Sequence, residues 1–447
     1  MRKPLVLLEG LLLGAATPLL RDLGGWLSPL FLLALGFPFA RPRSALWWAV
    51  GFAAAEAFPI GWAVGRYQEV VGLAVGGLIA LAVLGFAYLP LRYLPQGVWP
   101  FAWVASEVLR LAFLGAGVGI VGYGLVDSPL GLLGRLGGVY LVSLVAVLLG
   151  RGLWRGSRLA WAAALLALPL PVTWGAGAPT DQALLVQGGL SPERKHLAAE
   201  VYPRLTSSAR RANPGFEGIV VWPEAATPSP PLGERGWRWL GGVGTGDLNL
   251  AVLVEGSRVV AQRSKAFLVP MVEYAPGPLE GVRRRLLEAA VGGRVRLPEN
   301  YGPRPGSLLP LGPYGALICY EGSLEGAAVG LRRKGARVLV TISNENTFDG
   351  TLYKLRRFRE DRMRAVETGL WNLRVGETGF TGVIDPLGRV LKRAPEGTPA
   401  YLAASYSEVP QPSPYSWARE AFLAAYLLSP LAGLLLSRAK EVQTVGT

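Results

Sequence analysis

Leu317-Ile318-Cys319-Tyr320-Glu321 ends an apolar run on the only cysteine in a chain of 447 residues, with a carboxylate two positions later. Two other stretches join an apolar run to an ionisable group: Val220-Val221-Trp222-Pro223-Glu224 and Ser264-Lys265-Ala266-Phe267-Leu268-Val269-Pro270. Strand ends are where α/β sheets gather their active-site groups. Taken singly, each stretch has a plainer reading: a small buried cysteine, a lysine snorkelling from an edge strand, a glutamate capping a helix. Around them the apolar runs are of strand length. Strands are expected at 184–187, 218–222, 248–254, 266–269, 316–319, 338–342, 371–374, 382–384 and 401–404, and helices at 194–206, 324–334 and 354–369. Such alternation across residues 177–415 argues a layered α/β domain.

A cysteine attacks as its thiolate, so it needs a base to take its proton or a cation to lower its pKa. The chain has one histidine, His196, and a Cys-His or Ser-His mechanism would have to run through it. A zinc site would have to join His196, Cys319 and carboxylates at no recognisable ligand spacing, so neither metal nor cofactor is expected. Glu224 is then the natural base. A glutamate with its ordinary pKa of about 4.3 accepts a proton poorly, but burial in an apolar pocket raises it toward the thiol's. Lys265 supplies positive charge where the oxygen of a tetrahedral intermediate turns negative.

The rest of the chain has a different texture. Overall it is 51% hydrophobic and 17% charged, with a mean hydropathy of +0.33, too apolar for an ordinary soluble protein of this size. Apolar segments lie near 5–20, 27–40, 45–65, 69–90, 98–125, 134–150, 159–176 and 417–437, and a helix needs about 20 residues to cross a bilayer. The expected organisation is a bundle of about seven transmembrane helices over 1–176, a catalytic domain over 177–415, and a last transmembrane helix with a tail over 416–447. If all eight cross, Arg2, Lys3, Arg41, Arg43, Arg92, Arg151, Arg155, Arg158, Arg438 and Lys440 share one face. The positive-inside rule makes that face cytoplasmic, which puts 177–415 outside the cytoplasm. The first apolar run is read as a retained helix rather than a cleaved signal. Glu107 and Arg110, three apart on one helical face, form either a structural ion pair or a functional polar site. No basic run is interleaved with aromatics, so nucleic acid is not an expected partner of the net +14 charge. Lipid headgroups or plain solvation account for the basic excess.

Glu224, Lys265 and Cys319 match in type and order the Glu-Lys-Cys triad of the nitrilase superfamily. Eight apolar segments with such a domain before the last resemble one membrane-embedded branch of it, the apolipoprotein N-acyltransferase family. The resemblance includes Ala102-Trp103 with Glu107 and Leu109-Arg110, Trp222-Pro223-Glu224, and Leu268-Val269-Pro270 with Glu273-Tyr274. It also takes in Cys319-Tyr320-Glu321 and Arg362-Met363-Arg364-Ala365 with Glu367 and Gly369. It implies an αββα sandwich beside the membrane bundle, in a multi-pass protein of the bacterial inner membrane with both termini cytoplasmic. Glu273 then orients its neighbours, while Tyr320, Glu321 and Trp222 shape the site. The implied reaction is ping-pong: a phospholipid donates its acyl chain to Cys319 as a thioester, and the α-amine of a diacylglyceryl-cysteine apolipoprotein accepts it. The chain is expected to act as a monomer among membrane lipids. A membrane-anchored nitrilase-like amidase or hydrolase would use the same triad with water as acceptor, although one helix suffices as an anchor. A related acyltransferase with another acceptor remains open. A transporter bundle carrying a binding module would need a repeat between two halves, and none is identifiable. The chain departs from the family's pattern at Met271-Val272, at Asn344-Glu345-Asn346-Thr347-Phe348 and at Val375-Gly376-Glu377-Thr378. His196, in a place where the family tends to carry a tryptophan, reads as a surface helix residue.

Overall fold

A computed structural model describes residues 2–66, 69–114, 117–172, 176–234, 236–245, 248–269, 273, 281, 285 and 307–445. The chain divides into two compact units, Met1–Val172 with Trp417–Thr447, and Thr173–Ser416. The first unit is helical: α1 (Arg2–Leu23), α2 (Ser28–Ala40), α3 (Ala45–Gly65), α4 (Glu69–Tyr93), α5 (Trp99–Leu114), α6 (Gly134–Trp154) and α7 (Arg158–Ala164). Small residues let the helices close on each other, as membrane helices do. A Cβ on Gly36 of α2 would lie 2.1 Å from the carbonyl oxygen of Gly150 on α6. Among the described residues, three helical stretches are long and apolar enough to cross a membrane: Gly72–Tyr93, Pro129–Trp154 and Pro414–Leu435. Gly25–Ala40 and Arg158–Ala167 are shorter apolar helices. Of the eight crossings expected, three therefore meet length and composition. The run at 159–176 leaves the helix after Ala167, because Pro169 and Pro171 lack backbone donors and push the residues before them out of helical conformation. The run at 98–125 is helical over Trp99–Leu114 and has a 3₁₀ turn at Gly122–Leu125.

The second unit contains two sheets. The six-stranded sheet has the order β11-β1-β2-β3-β4-β5, from β1 (Asp181–Gln187), β2 (Ile219–Val221), β3 (Arg238–Thr245), β4 (Leu248–Glu255), β5 (Arg258–Ser264) and β11 (Ala400–Tyr406). The five-stranded sheet has the order β10-β9-β8-β7-β6, from β6 (Tyr314–Ile318), β7 (Val338–Ser343), β8 (Trp371–Gly376), β9 (Gly382–Ile384) and β10 (Val390–Arg393). Alternation along the strands sorts their side chains to two faces. Ala183, Leu185, Ile219, Val221 and Leu253 meet Ala316, Ile318, Val340, Ile342 and Val375 in the core between the sheets. Leu184, Val186, Val220 and Val254 face outward, where Val201, Tyr202 and Ala209 of α8 (Ala198–Ala212) cover them. On the other outer face, Leu317 and Leu339 pack on Ala327, Ala328 and Leu331 of α9 (Glu325–Arg333). Helix α10 (Tyr353–Thr368) ends on Gly369, whose φ of 63° gives the left-handed cap that glycine adopts without strain. These layers are the αββα sandwich, and α11 (Pro414–Val445) follows it. The strand expected at 266–269 is absent: the chain leaves the sheet at Ser264, and β5 is the more polar segment before it. Strands β3 and β10 were not expected, and neither was β5 in that position. The first carries three glycines, and the other two are polar edge strands.

Within the first unit, the buried charged side chains of Arg21, Glu56, Glu107 and Arg110 serve backbone that is not helical. Between α5 and α6 the chain is irregular, and buried peptide groups there must still be paired. Glu107 Oε1 accepts from the Val121 amide at 2.9 Å and from Trp103 Nε1 at 2.9 Å. Arg110 Nη2 donates to the Gly119 carbonyl at 3.0 Å, and Glu56 Oε2 accepts from the Gly119 amide at 3.1 Å. Arg21 pairs with Glu56 and, at 2.8 Å, with Asp22. Glu107 and Arg110 themselves stand 3.8 Å apart, so the structural reading of this pair has a definite content: the two side chains hold the 119–121 backbone. Replacing Glu107 by Ala should lower the thermal midpoint of the purified protein in detergent, the loss of one buried partner costing about 3–5 kcal/mol. Glu107→Gln, which keeps an acceptor for Val121, should lose less. Unfolding of Glu107→Ala at the wild-type temperature would contradict this role.

Candidate active site

Glu224, Lys265 and Cys319 each follow the last residue of a strand by one to three positions, at strands β2, β5 and β6. Strand β5 reaches the same edge as β2 because two antiparallel steps, β3 to β4 and β4 to β5, restore the original direction. The Glu224 loop lies directly on β3. The Gly242 amide donates to the Pro223 carbonyl at 3.0 Å, and a Cβ on Gly242 would lie 2.2 Å from the Ala225 nitrogen and 2.5 Å from the Glu224 Cα. Gly242 and Gly244, two of the glycines that obscured β3 in the sequence, are thus what lets the loop settle there. Cys319 opens a 3₁₀ turn with φ of 49°, one of two non-glycine residues in the left-handed region among those described. That conformation turns the chain sharply off the end of β6.

The side chains converge. Lys265 Nζ donates to Glu273 Oε1 at 2.9 Å and lies 3.5 Å from Glu224 Oε1. Glu224 also accepts from Asn249 Nδ2 at 2.6 Å and, through Oε2, from the Asn344 amide at 2.8 Å. Glu273 closes its own turn by accepting from the Val269 amide at 2.8 Å. Lys265 and Glu224 are buried and Cys319 is half-buried. The charges of Glu224, Lys265, Arg357 and Glu273 all act on the Cys319 thiol. Among the described residues, no group of three or more His, Cys, Asp or Glu is gathered for a metal ion.

Glu321 has a different task. Completely buried, its carboxylate accepts from the Ile318 amide at 2.8 Å, from the Ala266 amide at 2.6 Å and from the Phe267 amide at 3.3 Å. Arg263, the penultimate residue of β5, pairs with it and also donates to the Ala316 carbonyl on β6. Glu321 therefore fastens the Lys265 segment to the cysteine turn. Tyr320 lies half-buried beside the site, its hydroxyl pKa raised by burial and by Tyr353. Trp222 is not part of the cluster. It stacks on Tyr202 with ring centres 5.0 Å apart, and its Nε1 donates to Thr206 on α8. His196 is exposed. Of the unusual stretches, Met271-Val272 lies outside the described residues. Asn344 holds Glu224, and Glu377 accepts from Tyr202 at 2.5 Å and from Lys195 at 2.9 Å, tying the segment after β8 to the one after β1. Sequence reasoning missed Arg263, Asn249 and Arg357. Arg263 lies in β5, a strand not expected there; Asn249 lies in the strand that was expected at 248–254, but its partner Glu224 is distant in sequence; and Arg357 lies in a helix whose charges resemble a solvated face.

Burial, followed by the Glu224 carboxylate, pushes the Cys319 thiol up to about 12, against the opposing pull of Lys265 and Arg357. At neutral pH the resting thiol is therefore protonated, and attack requires a base at the moment of reaction. An ordinary thiol titrates at about 8.5. Alkylation of Cys319 by iodoacetamide should therefore keep rising with pH beyond about 9.5, roughly one unit above that value. Glu224→Gln, by removing the negative neighbour, should move the profile toward lower pH. A plateau at or below about pH 8.5 in the wild type would contradict the raised thiol.

The family model described as carbon-nitrogen hydrolase matches residues 247–417. Among solved structures, a carbon-nitrogen hydrolase from Helicobacter pylori is 16% identical, with a TM-score of 0.38, over 51% of this chain and 89% of its own. Nit3 of Saccharomyces cerevisiae, of the nitrilase superfamily, is 15% identical with a TM-score of 0.35, over 54% of this chain and 94% of its own. Two proteins named apolipoprotein N-acyltransferase extend the similarity to nearly the full length. That of Pseudomonas aeruginosa (strain LESB58) is 29% identical over 95% of this chain and 93% of its own. That of Azotobacter vinelandii is 30% identical over 93% of this chain and 91% of its own. By that extent of shared sequence, and with an acid, a lysine and a cysteine meeting at the strand ends of its sandwich, the chain belongs to the apolipoprotein N-acyltransferase family.

Proposed function

We propose that this chain moves a fatty acyl group from a phospholipid to the α-amine of a diacylglyceryl-cysteine lipoprotein, through a thioester on Cys319. The observation that carries the reading is the buried lysine held between two carboxylates beside the lone thiol: Lys265 with Glu273 at 2.9 Å and Glu224 at 3.5 Å. Cys319 Sγ attacks the ester carbonyl as its proton passes to Glu224. The oxyanion forms next to Lys265, whose charge is worth most in a site sheltered from water. Collapse of the intermediate breaks the ester C–O bond, and Glu224 returns the proton to the departing lysophospholipid hydroxyl. In the second half the acceptor amine attacks the thioester, Glu224 takes the amine's proton, and the thiolate leaves and recovers it. Glu273, bonded to Lys265 and to its own turn, keeps the lysine from collapsing onto Glu224. Exclusion of water protects the thioester from hydrolysis.

Membrane residence fits this chemistry, since both substrates carry acyl chains that lie in a bilayer. In this reading 1–176 and 416–447 supply about eight crossings of a bacterial inner membrane, with both termini cytoplasmic. The catalytic domain, 177–415, works outside the cytoplasm, in a monomer. The three long apolar helices and the distribution of basic residues support the arrangement.

Incubating the purified protein with acyl-labelled phospholipid should leave a hydroxylamine-sensitive acyl group on Cys319, absent from Cys319→Ala. Addition of a diacylated lipopeptide should discharge the label as an amide. Label that persists in Cys319→Ala, or no label at all, would overturn the thioester. Discharge as free fatty acid in the presence of the lipopeptide would make the protein a hydrolase instead.

A further inference from the structure

Arg357, buried on α10, touches the nucleophile from behind. Its Nη2 donates to the backbone carbonyl of Cys319 at 2.6 Å. Its Nη1 donates to Ser323 Oγ and to Glu360, and its Nε lies 4.0 Å from Glu345 Oε1. One planar guanidinium thus spans the cysteine's own peptide, the end of the 3₁₀ turn and two buried acids. A lysine, with a single ammonium, cannot reproduce that fork. The contact matters because Cys319 has φ of 49°, a left-handed conformation that is strained for a residue with a side chain. Such a conformation persists only where its surroundings impose it. Glu321 binds the amide of Ile318, the residue before the cysteine, while Arg357 binds the carbonyl of the cysteine itself. The turn is therefore held on both sides of its strained residue.

We propose that Arg357 is a positioning residue for Cys319: by gripping its carbonyl it keeps the left-handed turn and aims the thiol at Glu224 and Lys265, with a positive charge behind the forming thiolate. The proposal rests on Cys319 being the nucleophile. The charged and titratable groups facing the thiol are Glu224 after β2, Lys265 and Glu273 after β5, and Tyr353 and Arg357 on α10. Those facing Arg357 are Glu345, Glu360, Asp361, Tyr353, Tyr320 and, on β8, Arg374. Only Arg357 among them binds the cysteine backbone in the described hydrogen bonds.

The test uses the full-length protein in detergent, comparing wild type with Arg357→Lys for acyl-enzyme formation from labelled phospholipid and for the pH profile of Cys319 alkylation. In the folded variant, the maximal acylation rate should fall at least on the order of tenfold with little change in KM, and alkylation should need higher pH. Equal rates and superimposable profiles would overturn the proposal while wild-type acylation still upheld Cys319 as nucleophile. Failure of the wild type to acylate would instead remove the reading beneath it. Unfolding has the opposite signature, faster alkylation, because an unfolded thiol titrates lower. In that case R357M/E360Q, which removes one charge of each sign, is judged by the same two measurements.

Discussion

The arrangement of the site depends on the buried pair of Glu321 and Arg263. Strand β5 belongs to one sheet and β6 to the other, and apolar packing alone fixes their separation without fixing which residue ends opposite which. Glu321 decides that register. It takes the amides of Ala266 and Phe267 from the segment after β5 and the amide of Ile318 from β6, while Arg263 reaches across to the Ala316 carbonyl. Charge-assisted hydrogen bonds are stronger and more directional than apolar contacts. A buried pair of this kind adds little net stability over a well-packed apolar substitute, but removal of one partner is costly. What it contributes here is position: Lys265 and Cys319, from different sheets and far apart in sequence, are brought to one place.

The same trade recurs on α10, where Arg356, Arg357, Arg359, Glu360, Asp361, Arg364 and Glu367 are all buried. Arg364 meets Glu367 at 2.9 Å. Arg374 on β8 donates to Asp361 at 2.6 Å and to Glu345 at 2.5 Å, and Arg357 pairs with Glu360. This layer lies behind the cysteine turn and links it to Glu345, whose neighbour Asn344 holds Glu224. Glu224 and the cysteine turn therefore lean on one continuous polar scaffold. In the helical unit, buried charges likewise hold irregular backbone in place, as Glu107 does for Val121.

Much of this was legible in the sequence, for a physical reason. A single cysteine with almost no histidine leaves few ways to activate a thiol, and strand-length apolar runs ending in Glu224 and Cys319 mark where a sheet presents its chemistry. Short continuous apolar runs, such as 184–187 and 218–222, marked strands buried on both faces. What stayed hidden was whatever depends on partners distant in sequence. The run from Arg356 to Arg364 looks like a solvated helix face until Arg374 and Glu345 are brought against it. Strand β3 escaped notice because Gly241, Gly242 and Gly244 thin its pattern; the Glu224 loop rests on Gly242 and Gly244, and Gly241 makes room for the Trp239 and Trp222 side chains. Trp222 lies on the outward side with Val220, against α8, and the chain has left β2 before it reaches Glu224, so nearness in sequence did not place the tryptophan in the site. In the helical unit, composition alone did not reveal that Pro169 and Pro171 end a helix which hydrophobicity would have continued.

The central claim is that Lys265 and Glu224 act on an acyl group held by Cys319. An experimental structure of the protein acylated on Cys319, prepared with a phospholipid donor and no acceptor, tests it most directly. The account expects the thioester carbonyl oxygen within about 2.7–3.2 Å of Lys265 Nζ, with the Glu224 carboxylate facing the side from which the amine attacks. A carbonyl oxygen turned away from Lys265, with the lysine still bound only to Glu273 and Glu224, would contradict it.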